Sequence, residues 1–410
     1  MKSNRIVQNT ISLYAMNIAK LIIPLLTLPY LTRVLSMDVY GVVSYVKAAM
    51  QYMTLFIDFG FLLSGTRDIV ATKENHKKLC EEISNIFAAK LLLGAIAGGV
   101  LLVMTAIIPI LRRNVLFTLV SFIPIFLTCF LFEYVFRGLE RMTVITVRFV
   151  IMKTIATALT FMFVKSDADI MLIPIFDTVG TLVACAFVFV EMYRLQIKIV
   201  NIKLKTVFVK IKESAIYFAS DFATTAFGAL NTLLIGIFIT EADVANWSLC
   251  TQLVVAVQSM YSPIINGIYP EMVRSKNIWL VKKSLKLFMP VVLAGSIFTL
   301  VVAKYVLLII GGEQYVAAAP LLQMLVPVMF FGLPSMMYGW PTLGAIGKAR
   351  ETTFTTITAA AFQIIGLLIL LAMGQFTIMN VALVRSVTEF VLFALRYFFY
   401  RKHRSLFVLS

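Results

Sequence analysis

The stretch from Ala88 to Ile110 reads AAKLLLGAIAGGVLLVMTAIIPI, and its one charge, Lys90, lies near the start. As a helix rising 1.5 Å per residue it spans about 34 Å, enough to cross the roughly 30 Å apolar layer of a bilayer. It is apolar on every side, as is Gly366 to Met373, so neither run shows the alternation of a barrel strand and a transmembrane barrel is excluded.

The same pattern recurs along the chain. Apolar runs near Ile11 to Val34, Tyr40 to Leu63, Ile86 to Leu111, Val115 to Phe136, Ile145 to Val164 and Ile170 to Met192 predict a first set of six helices. A second set is predicted near Ser214 to Thr240, Val244 to Ile268, Leu285 to Ile310, Ala318 to Trp340, Phe354 to Met373 and Ile378 to Phe399. The expected fold is therefore all-α, a polytopic membrane protein of about 12 transmembrane helices in two six-helix lobes. The lobes are expected at residues 1–200 and 201–410, with the joint in the basic linker Tyr193 to Glu213. A faint echo supports two halves: Asp38-Val39 and Asp243-Val244 each follow a predicted first helix, 205 residues apart in a chain of 410. Six helices per half would give the parallel repeats of alternating-access transporters.

Composition agrees, because a chain 60% hydrophobic and 14% charged has more apolar side chains than one soluble core could bury. A net charge of +16 raises nucleic acid as a partner, but the basic residues sit between apolar runs rather than in a soluble groove-reading domain, so no nucleic acid is expected. Cys80, Cys129, Cys185 and Cys250 have neither CxxC nor metal-ligand spacing and read as inert thiols, so no metal or other cofactor is expected. The run from Ile11 to Leu35 is longer than a signal-peptide core and reads as a retained first helix.

Lys and Arg in short loops set the orientation. With the N-terminus inside, segments 1–10, 64–85, 137–148, 193–213, 269–286, 341–353 and 400–410 carry 25 of the 36 basic residues, and the outer loops carry only Arg112, Arg113 and Lys165. This places the protein in the inner (cytoplasmic) membrane as a multi-pass chain with both termini cytoplasmic.

Several ordered phrases carry a resemblance to a known family. They are Pro24-Leu25-Leu26-Thr27-Leu28-Pro29-Tyr30-Leu31-Thr32-Arg33-Val34-Leu35, Tyr40-Gly41, Asp58-Phe59-Gly60-Phe61 and Thr66-Arg67-Asp68-Ile69, with Phe136-Arg137-Gly138-Leu139-Glu140 and Gly311-Gly312-Glu313-Gln314-Tyr315 farther on. The chain resembles the oligosaccharide-lipid flippases of the polysaccharide-export branch of the multidrug/oligosaccharidyl-lipid/polysaccharide exporter superfamily. It lacks the two further helices usual in the lipid II flippases of that superfamily, which favours the O-antigen or capsule type. The resemblance implies a substrate, an undecaprenyl-pyrophosphate-linked oligosaccharide repeat unit turned from the cytoplasmic to the periplasmic leaflet. It also implies H+ or Na+ coupling, contact with membrane lipids and a polysaccharide polymerase as a partner.

Moving a pyrophosphate through an apolar layer requires compensating cations. Eight basic residues lie within or at the ends of the predicted helices: Lys20, Arg33, Lys47, Lys90, Lys153, Lys304, Arg385 and Arg396. Lys20, Lys47, Lys153 and Arg385 are about 10–14 Å from a helix end, too deep for easy snorkelling, and are the first candidates for a cationic cavity. In the resembling lipid II flippases, basic residues on helices one and two line the cavity, which points to Lys20 and Lys47. Arg33, Lys90, Lys304 and Arg396 lie nearer helix ends, where snorkelling or headgroup contact accounts for them, and Arg33 and Lys90 are kept as further cavity candidates. Asp58, Glu133, Asp177, Asp221 and Glu389 are the buried acids. Asp177 and Asp221, with Glu389 and Asp58, are the candidates for ion coupling, although Arg385 and Glu389, four apart, also suit a structural ion pair.

Two other classes compete. A multidrug cation antiporter would share the fold, but its cavity would need an excess of acids. A membrane polymerase or ligase would need a long outer loop, whereas the longest predicted here is about ten residues and shows no HExxH, Gly-x-Ser-x-Gly or P-loop. No catalytic residues are expected. The orientation has a direct test: alkaline phosphatase fused after Ser410 should be inactive, and high activity there would overturn the helix count.

Overall fold

The computed structural model describes residues 2–200, 202–226 and 228–408. They are helical almost throughout, and the one β-type pairing among them is an isolated bridge between Asn277 and Val408. The chain divides into two compact units, Met1–Thr225 and Ala226–Ser410.

In the first unit the helices are α1 (Lys2–Val34), α2 (Met37–Asp58), α3 (Phe61–Thr72), α4 (His76–Ile107), α5 (Pro109–Arg113), α6 (Val115–Leu127), α7 (Glu133–Gly138), α8 (Met142–Phe163), α9 (Leu172–Arg194) and α10 (Leu204–Ala226). Helix α8 packs between α1 and α9, α2 lies against α4 and α6, and α3 is held by α4 and α7. The core of this unit includes Phe61, Ile69, Ile83, Tyr134, Phe136 and Val188, each almost fully withdrawn from solvent.

The expected second span, Tyr40 to Leu63, is broken. Phe59 and Gly60 both take left-handed backbone angles, φ 39° and 77°, which end α2 and start α3. Glycine is needed at 60 for a second reason, since a Cβ there would lie 2.5 Å from the Cβ of Tyr217 on α10. Phe59 stacks on Phe218 at 4.4 Å between ring centroids, an apolar contact that offsets its own backbone strain.

The expected seventh span, Ser214 to Thr240, is likewise two helices, α10 and the shorter α11 (Ala229–Phe238). Helix α10 makes contacts with α2, through Tyr52–Phe222 and Phe56–Phe218, and with α3 and α4. Ser214 and Ser64 share a 2.6 Å hydrogen bond. Lys210 Nζ reaches Asp68 Oδ2 and Glu82 Oε2, both at 2.8 Å. Partial burial disfavours the Lys210 charge, but these hydrogen bonds and carboxylates outweigh it and hold its pKa above the ordinary lysine value.

The second unit continues with α12 (Glu241–Ser259), α13 (Ser262–Ser275), α14 (Ile278–Gly311), α15 (Ala319–Met324), α16 (Val326–Met337), α17 (Ala349–Ala372) and α18 (Ile378–Lys402). The Asp-Val echo turns out to be a pair of helix caps. Ser36 Oγ accepts from the Val39 N–H at the start of α2, and Thr240 Oγ1 accepts from the Asp243 N–H at the start of α12. Helix α14 presents Leu287, Val291, Leu293, Ile297, Phe298, Val301 and Ile309 outward, an apolar surface suited to lipid.

Among the described residues ten helices are long and apolar enough to cross a membrane, and the bent pair Glu313–Met324 and Val326–Gly344, 43° apart, makes up to eleven. The fold is thus a polytopic all-α membrane protein. After the bend, α16 passes into a π-helical turn, Tyr338–Gly344, where Gly339 leaves helical geometry. Arg396 from α18 sits beside this turn. It was expected to snorkel; instead it is buried and donates to the Ser335 carbonyl at 3.0 Å and to Thr356 Oγ1 at 3.1 Å.

A guanidinium can bridge two elements in a fixed fork, and an ammonium cannot. Arg396→Met should therefore strand the Ser335 and Thr356 groups and destabilise the second unit by about 2–4 kcal/mol. Arg396→Lys should fall between it and the parent. An unchanged melting transition of the purified Arg396→Met protein in detergent would show that the arginine does not hold the turn.

Candidate functional site

Helix α2 is almost entirely enclosed by its neighbours. Tyr45, Val46, Ala48, Ala49, Met50, Tyr52, Met53, Leu55 and Ile57 are all buried. Past the first turn, and apart from Phe56, half-open on the opposite face, its open positions are Lys47 and Gln51, with Thr54 and Asp58 half-open. These four fall at i, i+4, i+7 and i+11, one continuous stripe on the helix. Unlike the outward face of α14, this exposed face is wholly polar. Hydrocarbon would leave an ammonium and a carboxamide unsatisfied, so the stripe is a surface built for water or for a polar ligand.

Charged side chains from other helices gather near it. Lys153 on α8 meets Asp177 on α9 at 3.4 Å, and Lys47 lies within electrostatic reach of both. This middle group holds two lysines and one carboxylate. Asp58, at the lower end of the stripe, receives Lys90 Nζ of α4 at 2.8 Å, and Asp221 of α10 also feels the Asp58 charge. Lys90 is buried while Asp58 is open, so the pair hides its cation and shows its anion.

A third group lies on α1, α7 and α8. Glu133 accepts from Arg148 Nη2 at 2.7 Å and lies 3.5 Å from Arg137 Nη2. Lys20 sits over the Phe149 ring, 5.5 Å from its centroid, and within electrostatic reach of Glu133.

The cavity candidates therefore divide. Lys20, Lys47, Lys90 and Lys153 belong to these groups in the first unit, together with the acids Asp58, Asp177 and Asp221. Arg33 stands exposed in the last turn of α1. Arg385 and Glu389 belong to the second unit and pair with each other on one face of α18 at 2.9 Å. Sequence reasoning passed over Arg137 and Arg148, because residues 137–148 read as a cytoplasmic segment. Arg148 lies within the candidate span Met142–Phe163, and Arg137 is the penultimate residue of the candidate span Val115–Gly138. The available signal was Glu133: a buried acid in the fourth helix calls for a base at similar depth on the fifth, and Arg148 is the nearest one in sequence.

Comparison with known proteins bears on what such a site serves. A profile of the polysaccharide biosynthesis protein family matches residues 6–276. An Escherichia coli K12 protein named "Putative O-antigen transporter" is 25% identical over 407 residues, 97% of either chain. A Shigella dysenteriae protein of the same name is 24% identical over 269 residues, 65% of this chain and 67% of its own. Among solved structures, lipid II flippase MurJ in an inward closed conformation matches with a TM-score of 0.74 at 12% identity, covering 96% of this chain and 87% of its own. An inward-facing multidrug resistance MATE family transporter of the MOP superfamily matches at 0.66 and 13% identity, covering 94% and 98%. At such identities these two structures bear on the fold alone.

The polar stripe can be probed directly because Cys80, Cys129, Cys185 and Cys250 are all buried and give little background labelling. Gln51→Cys should react with a hydrophilic maleimide on the order of tenfold faster than Val291→Cys on the lipid face of α14, since only a hydrated thiol ionises readily. Equal rates would mean that the stripe is not wet.

Proposed function

The chain belongs to the polysaccharide biosynthesis protein family, and from that membership we propose that it is a flippase for a lipid-linked oligosaccharide in the inner membrane. The relatives named as O-antigen transporters support this reading. The substrate is an undecaprenyl-pyrophosphate-linked repeat unit, carried from the cytoplasmic to the periplasmic leaflet by alternating access, with both termini of the chain cytoplasmic. The role is transport rather than catalysis.

The observation that carries the reading is the polar stripe of α2 with its surplus of cations. Transfer of an unpaired diphosphate into hydrocarbon is prohibitive, and a flippase must replace the lost hydration with fixed positive charge. Lys47 and Lys153 share a single carboxylate, Asp177, and so retain charge for an anion. Cationic drugs would meet repulsion at the same place, which weighs against the multidrug antiporter.

Ion coupling is assigned to Asp58 with Asp221. Two carboxylates that feel each other are a suitable place for a proton or Na+, and Lys90 competes with that ion for Asp58. Loading the ion would release Lys90 from its partner and so couple the ion to the charge pattern around α2. Asp177, occupied by two lysines, is the weaker candidate.

Neutralising Lys20 or Lys47 to Gln should abolish export of surface polymer while membrane abundance stays near that of the parent, and Arg at either position should partly restore export. Surface polymer by immunoblot and protein abundance by an epitope tag are the paired measurements. Normal polymer in the double Lys20→Gln, Lys47→Gln change would end the assignment of these lysines to the headgroup.

A further inference from the structure

We propose that Lys20, Arg137 and Arg148 form a separate anion-binding station for the diphosphate headgroup, with Glu133 as its resident competitor. The inference rests on the flippase reading and adds a second site to it, distinct from the Lys47–Lys153 group.

Charge balance sets this cluster apart. Lys20, Arg137 and Arg148 surround one carboxylate, leaving two positive charges in excess, with Lys20 and Arg148 within candidate membrane spans and Arg137 at the end of one. The other groups carry less excess positive charge, one lysine to two carboxylates at Lys90, Asp58 and Asp221 and two to one at Lys47, Lys153 and Asp177. An isolated charge in the apolar layer is expensive, and two uncompensated ones call for a bound anion or for water.

The hydrogen bonding points to an anion. Arg148 is about 95% buried, and its Nε–H has no hydrogen-bond partner; neither has the buried Nε–H of Arg137. Each guanidinium meets Glu133 through Nη2 and keeps its Nε–H as an unused donor, part of the planar fork that phosphate oxygens match. A carboxylate fills one fork. A diphosphate, with more oxygens and more charge, can engage both arginines and Lys20 together. Arg148 and Lys153 lie five residues apart on α8, about 7.5 Å along its axis, so the two stations stand at different depths. The headgroup would be handed from one to the other rather than held at a single point.

The test uses inorganic pyrophosphate and the purified full chain in phosphatidylcholine nanodiscs, with binding followed by calorimetry. Arg137→Gln should weaken binding about tenfold, the effect of losing one charge-assisted contact. Glu133→Gln should tighten it several-fold, because the competitor is gone while the arginines remain. A merely structural Glu133–Arg148 pair predicts the opposite for that variant: less folded protein and no gain in affinity. Arg148→Gln alone would leave Glu133 short of a partner, so it is made together with Glu133→Gln, and the double change should bind about as weakly as Arg137→Gln. Binding unaffected by all of these changes, or no binding by the parent, would overturn the station.

In phosphatidylglycerol nanodiscs pyrophosphate affinity should change less than twofold. Its loss there would assign the cluster to phospholipid headgroups and overturn the diphosphate assignment. Pyrophosphate binding that ignores these residues, in a chain that still supports surface polymer, sinks the station and leaves the flippase standing. Binding that depends on them, in a chain whose deletion leaves surface polymer unchanged, does the reverse.

Discussion

A cation placed in the apolar layer of a membrane must find an anion, an aromatic face, backbone carbonyls or water, and the basic residues of this protein show each of these solutions. Lys90 is buried against Asp58, and Arg148 against Glu133. Lys20 lies over Phe149. Arg396 is taken up by a serine carbonyl and two hydroxyls. Lys47 opens onto the polar side of a helix otherwise sealed by its neighbours. In the first unit the cations around Glu133 and around Asp177 outnumber the acids beside them, so part of their charge remains to act on something else.

The same constraint explains where helices are interrupted. A break frees backbone groups that hydrocarbon cannot satisfy, and two of the breaks are placed where protein supplies partners or packing. The break at Phe59 and Gly60 lies against α10, with Tyr217 and Phe218 filling the space that a side chain at 60 would need. The π-helical turn after α16 lies against the Arg396 guanidinium, 3.1 Å from where a Cβ of Gly339 would stand.

Much of this was legible in the sequence. Spans and their approximate ends follow from local composition, and the depth of Lys20, Lys47 and Lys153 follows from counting along a helix. The stripe Lys47, Gln51, Thr54 and Asp58 was also present as a spacing, but periodicity alone does not say which face of a helix its neighbours leave open. Pairing between helices was beyond reach, because nothing local links Lys90 to Asp58 or Lys153 to Asp177. The misplacement of Arg148 has a specific cause. Arg137, Glu140, Arg141 and Arg148 together resemble a loop, whereas α8 begins at Met142 and carries Arg148 inward. The seventh span was misjudged for a related reason. The apolar run from Ser214 was weighed without the carboxylates Asp68 and Glu82, which hold the start of α10 on the first unit.

The buried arginine of α18 has a consequence for how the chain is made. Ser335 and Thr356 precede Arg396 in the sequence, so they have already left the ribosome when the last helix enters the membrane, and its most costly residue meets a prepared site. The first two helices have no such advantage. Lys20 and Lys47 are synthesised well before Glu133 and Asp177, and during that interval their charges have no internal partner from these acids. Biogenesis of the first unit therefore passes through a stage in which these two lysines are held by water or by lipid headgroups, before the residues that later neighbour them have been made.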